Sequence, residues 1–131
     1  MKHSCYCDNL RVAARKVSAL YDDALAPFGV NIAQYSLLRK IERLGEPSLT
    51  ELGRIAELDR STIGRNVRVL EKDGLVENAR GEDQREALVR LTRRGAELLK
   101  RAKPAWDKCQ RALEERLGAQ MRALDTLVET L

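Results

Sequence analysis

The segment DRSTIGRNVRVLEKDG, Asp59 to Gly74, carries its own start and stop and fixes a helix between them. Asp59 can accept from the free backbone N–H groups of the first turn, and Gly74 can take the left-handed conformation that ends a helix. Ile63, Val67 and Leu70 fall at i, i+4 and i+7, which makes one buried seam. Ser61, Arg65, Arg68 and Lys72 then face outward.

That outward face is chemically one-sided. From Arg60 to Lys72 the exposed charges are Arg60, Arg65, Arg68 and Lys72 against Glu71 alone, with hydroxyls at Ser61 and Thr62 and an amide at Asn66. Hydroxyls at a helix N-terminus, guanidinium forks and an amide are the groups that grip phosphates and read base edges in the major groove of DNA. Arg65 and Asn66 are the candidates for base contacts, since Arg pairs bidentately with guanine and Asn with adenine. Ser61 and Thr62 are assigned to phosphates and register, Arg60 and Arg68 to neutralising backbone charge. The bland alternative is a solvated basic face without a partner.

The flanks point the same way as the face. SLTELGRIAEL, Ser48 to Leu58, is a short helix capped by Ser48 or Thr50 with Leu52, Ile55 and Ala56 inward, and a turn at Glu57 to Asp59 leads into the second helix. Afterwards, Leu75 to Ala79 and Ala87 to Leu91 are two extended runs flanking a polar tip with Gly81, a hairpin whose tip can reach a minor groove. Helix, turn, helix, hairpin is a winged helix.

These residues carry a family resemblance. DRSTIGRNVRVLEKDGLV, with the wing signature Asp83, Arg85, Leu88, Arg90, Leu91, Thr92 and Gly95, resembles the DNA-binding lobe of the MarR family of bacterial transcription regulators. The resemblance implies that Arg85 enters the minor groove and that Asp83 orients it or stabilises the hairpin. Read from the residues alone, Asp83 and Arg85 are an exposed ion pair two residues apart, worth well under ~1 kcal/mol. The family further implies a dimer, repression by blocking polymerase, and release by a signal.

Composition sets the bounds. The 131 residues, 44% hydrophobic and 4% aromatic, suit one helical domain and no sandwich. The net charge of +4 permits nucleic-acid binding without requiring it. Between Glu51 and Arg94, ten Lys and Arg against nine Asp and Glu leave only +1, so position matters more than bulk charge. No apolar run approaches the ~20 residues of a membrane span, and MKHSCYCDN lacks the apolar core of a signal peptide, so a cytoplasmic protein is expected.

Outside the lobe, apolar positions from Cys7 to Leu25 recur with helical spacing until Pro27 to Gly29 breaks them. Asn31 and Gln34 form a candidate capping box for a helix from Ile32 to Leu44 with Leu37, Leu38, Ile41 and Leu44 inward. Thr92 caps a long helix to about Leu117, which Pro104 should bend and Gly118 should break. Met121, Leu124, Leu127, Val128 and Leu131 then make a stripe with too little in their own chain to cover them.

The expected architecture is therefore mainly α with a small β-hairpin wing, a single domain over 1–131. Residues 31–95 form the winged helix-turn-helix lobe, and the terminal helices, 1–30 and 96–131, form a dimerisation region. The residues leave an intramolecular helical bundle open; the family implies the homodimer. A two-fold dimer places two recognition helices ~34 Å apart, so the expected partner is double-stranded DNA carrying an inverted repeat with half-sites ~10 bp apart.

The signal has several readings. Trp106 could line a pocket for a small aromatic ligand or simply pack in the core. Cys7 sits at the start of the first helix, where the helix dipole can raise a thiolate fraction. With Tyr21 on nearly the same face and Cys109 on the long helix, it is similar to the organic-hydroperoxide-sensing subgroup of the MarR family, although Ile32 stands where that subgroup has a second tyrosine. Both cysteines can equally be small packed hydrophobes. His3, Cys5 and Cys7 suggest a metal clip, but no other histidine supports it, and neither metal nor cofactor is expected. With one His, no Ser-His-Asp set and no phosphate-cradling Gly loop, an enzyme is not expected. A helical adaptor binding protein through the basic helix is the remaining alternative.

Overall fold

The computed structural model describes residues 5–80 and 87–131. Five helices and one hairpin follow in order: α1 (Tyr6–Leu25), a 3-10 turn (Ala26–Phe28), α2 (Ile32–Leu44), α3 (Leu49–Ala56), α4 (Arg60–Lys72), β1 (Val76–Arg80), β2 (Ala87–Leu91) and α5 (Arg93–Thr130). Strand β1 pairs antiparallel with β2, Val76 opposite Leu91 and Asn78 opposite Val89.

Helices α2 to α5 each start where a side chain satisfies a free donor of the first turn, whereas α1 starts after Cys5 without a side-chain cap. Asn31 and Gln34 form the reciprocal capping box of α2, at 2.8 and 2.9 Å. Ser48, rather than Thr50, caps α3 by accepting from the Glu51 N–H at 3.0 Å. Gly74 closes α4 at φ 76°, in the left-handed region its lack of a Cβ makes accessible.

One core joins the end of α1, α2, α3, α4, the hairpin and the first half of α5. Leu25, Val30, Tyr35, Leu38, Ile41, Leu52, Ile63, Val67, Leu70, Val76, Val89, Leu99 and Ala102 are all buried in it. The wing stem is tied to the α2–α3 joint as well, because the Val89 N–H donates to the Pro47 carbonyl at 2.9 Å. Position and slope of the wing are thus fixed from both sides.

Two expectations need adjusting. Ile55 is 39% exposed, not inward. The inward residues of α3 are Leu49, Leu52, Gly53 and Ala56, and α4 approaches on the Gly53 side, where a Cβ would stand 3.5 Å from Ile63 Cγ1. The first strand begins at Val76, since Leu75 still serves the helix end: its N–H donates to Leu70 and its carbonyl accepts from Thr92. Helix α5 continues through Pro104 with helical dihedrals and is kinked at Gly118, the residue expected to break it.

The outer helices are poorly covered within one chain. Of α1 only Leu25 is buried, while Leu10 and Leu20 are more than two-fifths exposed. Beyond Gly118, Leu124, Leu127, Val128 and Leu131 are exposed along one segment. No helix of the described residues is long and apolar enough to cross a membrane.

Candidate nucleic-acid interface

The face of α4 is built from its N-terminus. The Asp59 carboxylate accepts from the Thr62 backbone N–H at 2.7 Å and from the Ser61 hydroxyl at 3.0 Å. These bonds, the Thr62 N–H first, hold the Asp59 carboxyl below its ordinary range, with the nearby Arg65 charge a smaller cause. The cap is ionised at neutral pH. It also uses the Ser61 hydroxyl proton, so a phosphate reaching Ser61 must compete for that donor.

Ser61, Arg65, Arg68 and Lys72 lie on one exposed stripe, and Arg60 flanks it. Arg60 donates to the Thr50 hydroxyl at 3.2 Å, linking the two helices of the motif, and Arg65 reaches the Thr62 hydroxyl at 3.4 Å. None of these cations has a carboxylate within 4 Å among the described residues. Leu49, Arg60, Ser61, Gly64, Arg65 and Arg68 line one shallow concavity. Gly64 at its floor has nothing within 4 Å of where a Cβ would stand, so another backbone can come close. Asn66 is exposed beside the stripe rather than on it, and Thr62 is half-buried. The arrangement can hold anions and hydrogen-bond flat edges. Asp83 and Arg85 lie outside the described residues.

The wing signature turns out to be a clamp. Thr92 caps α5 by accepting from the Gly95 N–H at 3.1 Å, and its own hydroxyl donates to the Gly74 carbonyl at 2.6 Å. Gly95 lets the Leu75 carbonyl approach so closely that a Cβ would stand 2.1 Å from its oxygen. Arg90 binds Glu77 at 2.9 Å and Glu46 at 3.5 Å, pinning β2 to β1 and to the α2–α3 joint. Leu91, Thr92, Gly95 and Arg90 therefore set the angle between recognition helix, wing and α5.

The candidate sensing residues divide. Cys7 is exposed on the first turn of α1, whereas Cys109 is half-buried on α5. Burial pushes the Cys109 thiol up, away from thiolate. The Tyr21 hydroxyl donates to Gln110, the residue after Cys109, and its pKa is raised by burial first and by the neighbouring Cys109 second. Trp106 packs 6.2 Å from the Tyr35 ring with the Arg39 guanidinium 4.1 Å from its centroid. Gln110 and Arg39 escaped the sequence reading because their partners lie on distant helices. The Cys109 neighbourhood of Gln110 is the only local signal for either. No cluster of three metal-binding side chains occurs among the described residues. His3 lies outside them.

Comparison with known proteins places this geometry. The MarR family model matches residues 30–87. The M. tuberculosis transcriptional regulator MosR, solved in complex with DNA, superposes with a TM-score of 0.86 at 32% identity over 97% of this chain and 96% of that one. A mutant MarR from E. coli complexed with operator DNA shares the fold, with a TM-score of 0.84 at 22% identity over 94% of this chain and 90% of that one. An HTH-type transcriptional regulator of Bacillus subtilis, YwoH, is 32% identical over 81 residues, which are 62% of this chain but only 59% of that protein. With the helix-turn-helix, the hairpin and the matching arrangement of α1 and α5 all present, this chain belongs to the MarR family.

Proposed function

We propose that the chain is a DNA-binding transcription regulator that acts as a homodimer on an inverted-repeat operator, represses by occupying it, and is released by a small ligand. The observation that carries this reading is the stripe of Ser61, Arg65, Arg68 and Lys72 on α4, whose cations have no carboxylate partner among the described residues. Exposed cations on such a face can displace counterions from phosphates.

In this reading Arg65 and Asn66 contact base edges, Ser61 and Thr62 fix register, and Arg60 and Arg68 neutralise phosphates. Arg85 enters the minor groove with Asp83 orienting it. Residues 31–95 form the DNA-binding lobe, and 1–30 with 96–131 join two copies. The exposed apolar positions of α1 and of α5 beyond Gly118 support that dimer, since apolar stripes of this length are costly in water. The chain binds and releases DNA in the cytoplasm and catalyses no reaction.

Thiol sensing by Cys7 with Cys109 is a second reading, favoured by the closeness of Tyr21 to Cys109. One equivalent of an organic hydroperoxide should then release DNA from wild type and not from Cys7→Ser.

Operator geometry provides the test. Fluorescence anisotropy should show one dimer per duplex carrying half-sites ~10 bp apart, and a ~5 bp insertion between them should abolish tight binding by turning one half-site to the far side. Binding indifferent to the insertion would contradict a two-fold reader.

A further inference from the structure

We infer that Glu71 is a positioning residue for the wing: by holding Asn78 of β1 it sets the attitude of the hairpin against the recognition helix, and with it the wing's contact to DNA. The inference rests on the DNA-binding reading above and adds to it a residue that acts through another.

Glu71 is the one acid between Arg60 and Lys72, on the helix whose cations are read as gripping phosphates. An acid kept only to balance charge would pair along its own helix. Arg68 stands three residues earlier, a spacing at which opposite charges meet. Yet neither Arg68 nor Lys72 has a carboxylate within 4 Å among the described residues. The half-buried Glu71 instead accepts from the Asn78 side-chain amide at 3.3 Å, seven residues on and in the next element. Its carboxylate is turned to the hairpin rather than to the basic stripe.

The hairpin lacks another directional tie on that side. Its β2 edge is anchored to the α2–α3 joint, where the Val89 N–H donates to the Pro47 carbonyl at 2.9 Å, Leu88 bridges Ser48, and Arg90 reaches Glu46 at 3.5 Å. Those bonds leave rotation about the anchored edge. Val76 and Ala79 of β1 are buried, but apolar packing is non-directional and fixes no angle. Among the described residues, the side-chain hydrogen bond from β1 to α4 is that of Asn78 to Glu71, and it closes the remaining freedom.

The test reads a sign. Anisotropy on labelled DNA from the gene's own upstream region compares full-length wild type with Glu71→Ala, Glu71→Gln and Asn78→Ala. Removing an acid beside phosphates raises affinity if charge alone acts. Positioning predicts the opposite for Glu71→Ala, a fall of about threefold per protomer and so about tenfold per dimer. Glu71→Gln keeps an acceptor and should bind at least as well as wild type. Asn78→Ala changes no charge and should fall as far as Glu71→Ala, with the double variant falling no further. Hydroxyl-radical footprinting of Glu71→Ala should show weakened minor-groove protection flanking each half-site, while protection of guanine N7 in the major groove persists. Thermal unfolding should stay near that of wild type, because the bond is exposed.

Equal or tighter binding by Glu71→Ala, additive losses in the double variant, an unchanged flank footprint, or a Glu71→Ala protein that unfolds well below wild type would overturn the inference and leave the regulator reading standing. Wild type that binds the upstream DNA no better than unrelated DNA would end that reading and the inference with it.

Discussion

Replacing Gly95 by alanine should unhinge the recognition lobe from α5. The added Cβ would lie 2.1 Å from the Leu75 oxygen and 3.0 Å from its carbonyl carbon, both backbone atoms that no rotamer change can move aside. Either α5 or the α4–β1 turn must shift, which stretches the Thr92 N–H bond to Leu75, now 3.1 Å, and the Gly95 N–H bond to the Thr92 hydroxyl. Overpacking costs about 1–3 kcal/mol, and the strained cap and hydrogen bond about 1 kcal/mol each. Alanine returns about 1 kcal/mol as the better helix former. The net loss is about 2–4 kcal/mol, a large share of the roughly 5–15 kcal/mol that holds a domain folded. Urea denaturation followed by circular dichroism, at one fixed protein concentration, reads it directly. A Gly95→Ala protein within about 0.5 kcal/mol of wild type would refute the close approach of Leu75 to α5.

Gly64→Ala should do the reverse: with open space at its Cβ position it should gain up to about 1 kcal/mol of stability, yet lose operator affinity by putting a methyl on the floor of the basic face. Denaturation and anisotropy on the same preparation check both signs. Asp59→Asn should flatten the acid limb of the stability curve. The Asp59 pKa is lowered in the fold, so its stabilisation is full above the unfolded carboxyl's ordinary 3.8 and is lost as pH falls through the depressed native value; acid titration of the two proteins shows the difference. Cys109 should react with a thiol reagent more slowly than Cys7 at pH 8, because burial raises the Cys109 pKa and Cys7 is exposed. Mass spectrometry of partially labelled protein gives the order, and equal rates would contradict the burial of Cys109.

What could be read from the sequence was local. Asp59, Asn31, Ser48 and Thr92 each cap the helix that follows them, because the donors they satisfy lie within three residues. The seam of Ile63, Val67 and Leu70 was legible for the same reason: its period is set by the backbone of one helix. What stayed hidden depends on the approach of separate elements. Ile55 reads as inward by its chemistry, but α3 is buried on its Leu52 and Gly53 side, against α4, and Ile55 faces out. The Thr92 and Gly95 motif could be recognised but not explained, since its partner, the Leu75 carbonyl, lies two strands earlier. The bond from Asn78 to Glu71 joins a strand to the helix before it, and an acid on a basic helix gives no signal of which neighbour it serves.

The central claim is that the cations of α4, which have no carboxylate partner among the described residues, grip DNA. Anisotropy on labelled DNA from the gene's own upstream region, titrated over salt with unlabelled competitor, tests it most directly. Three to four phosphate contacts from each of two protomers predict a slope of log K against log salt of about −5 to −7, sequence-specific competition, and loss of at least tenfold in affinity on Arg65→Ala. Binding with a slope near zero, or competition by any DNA alike with Arg65→Ala unchanged, would contradict the account.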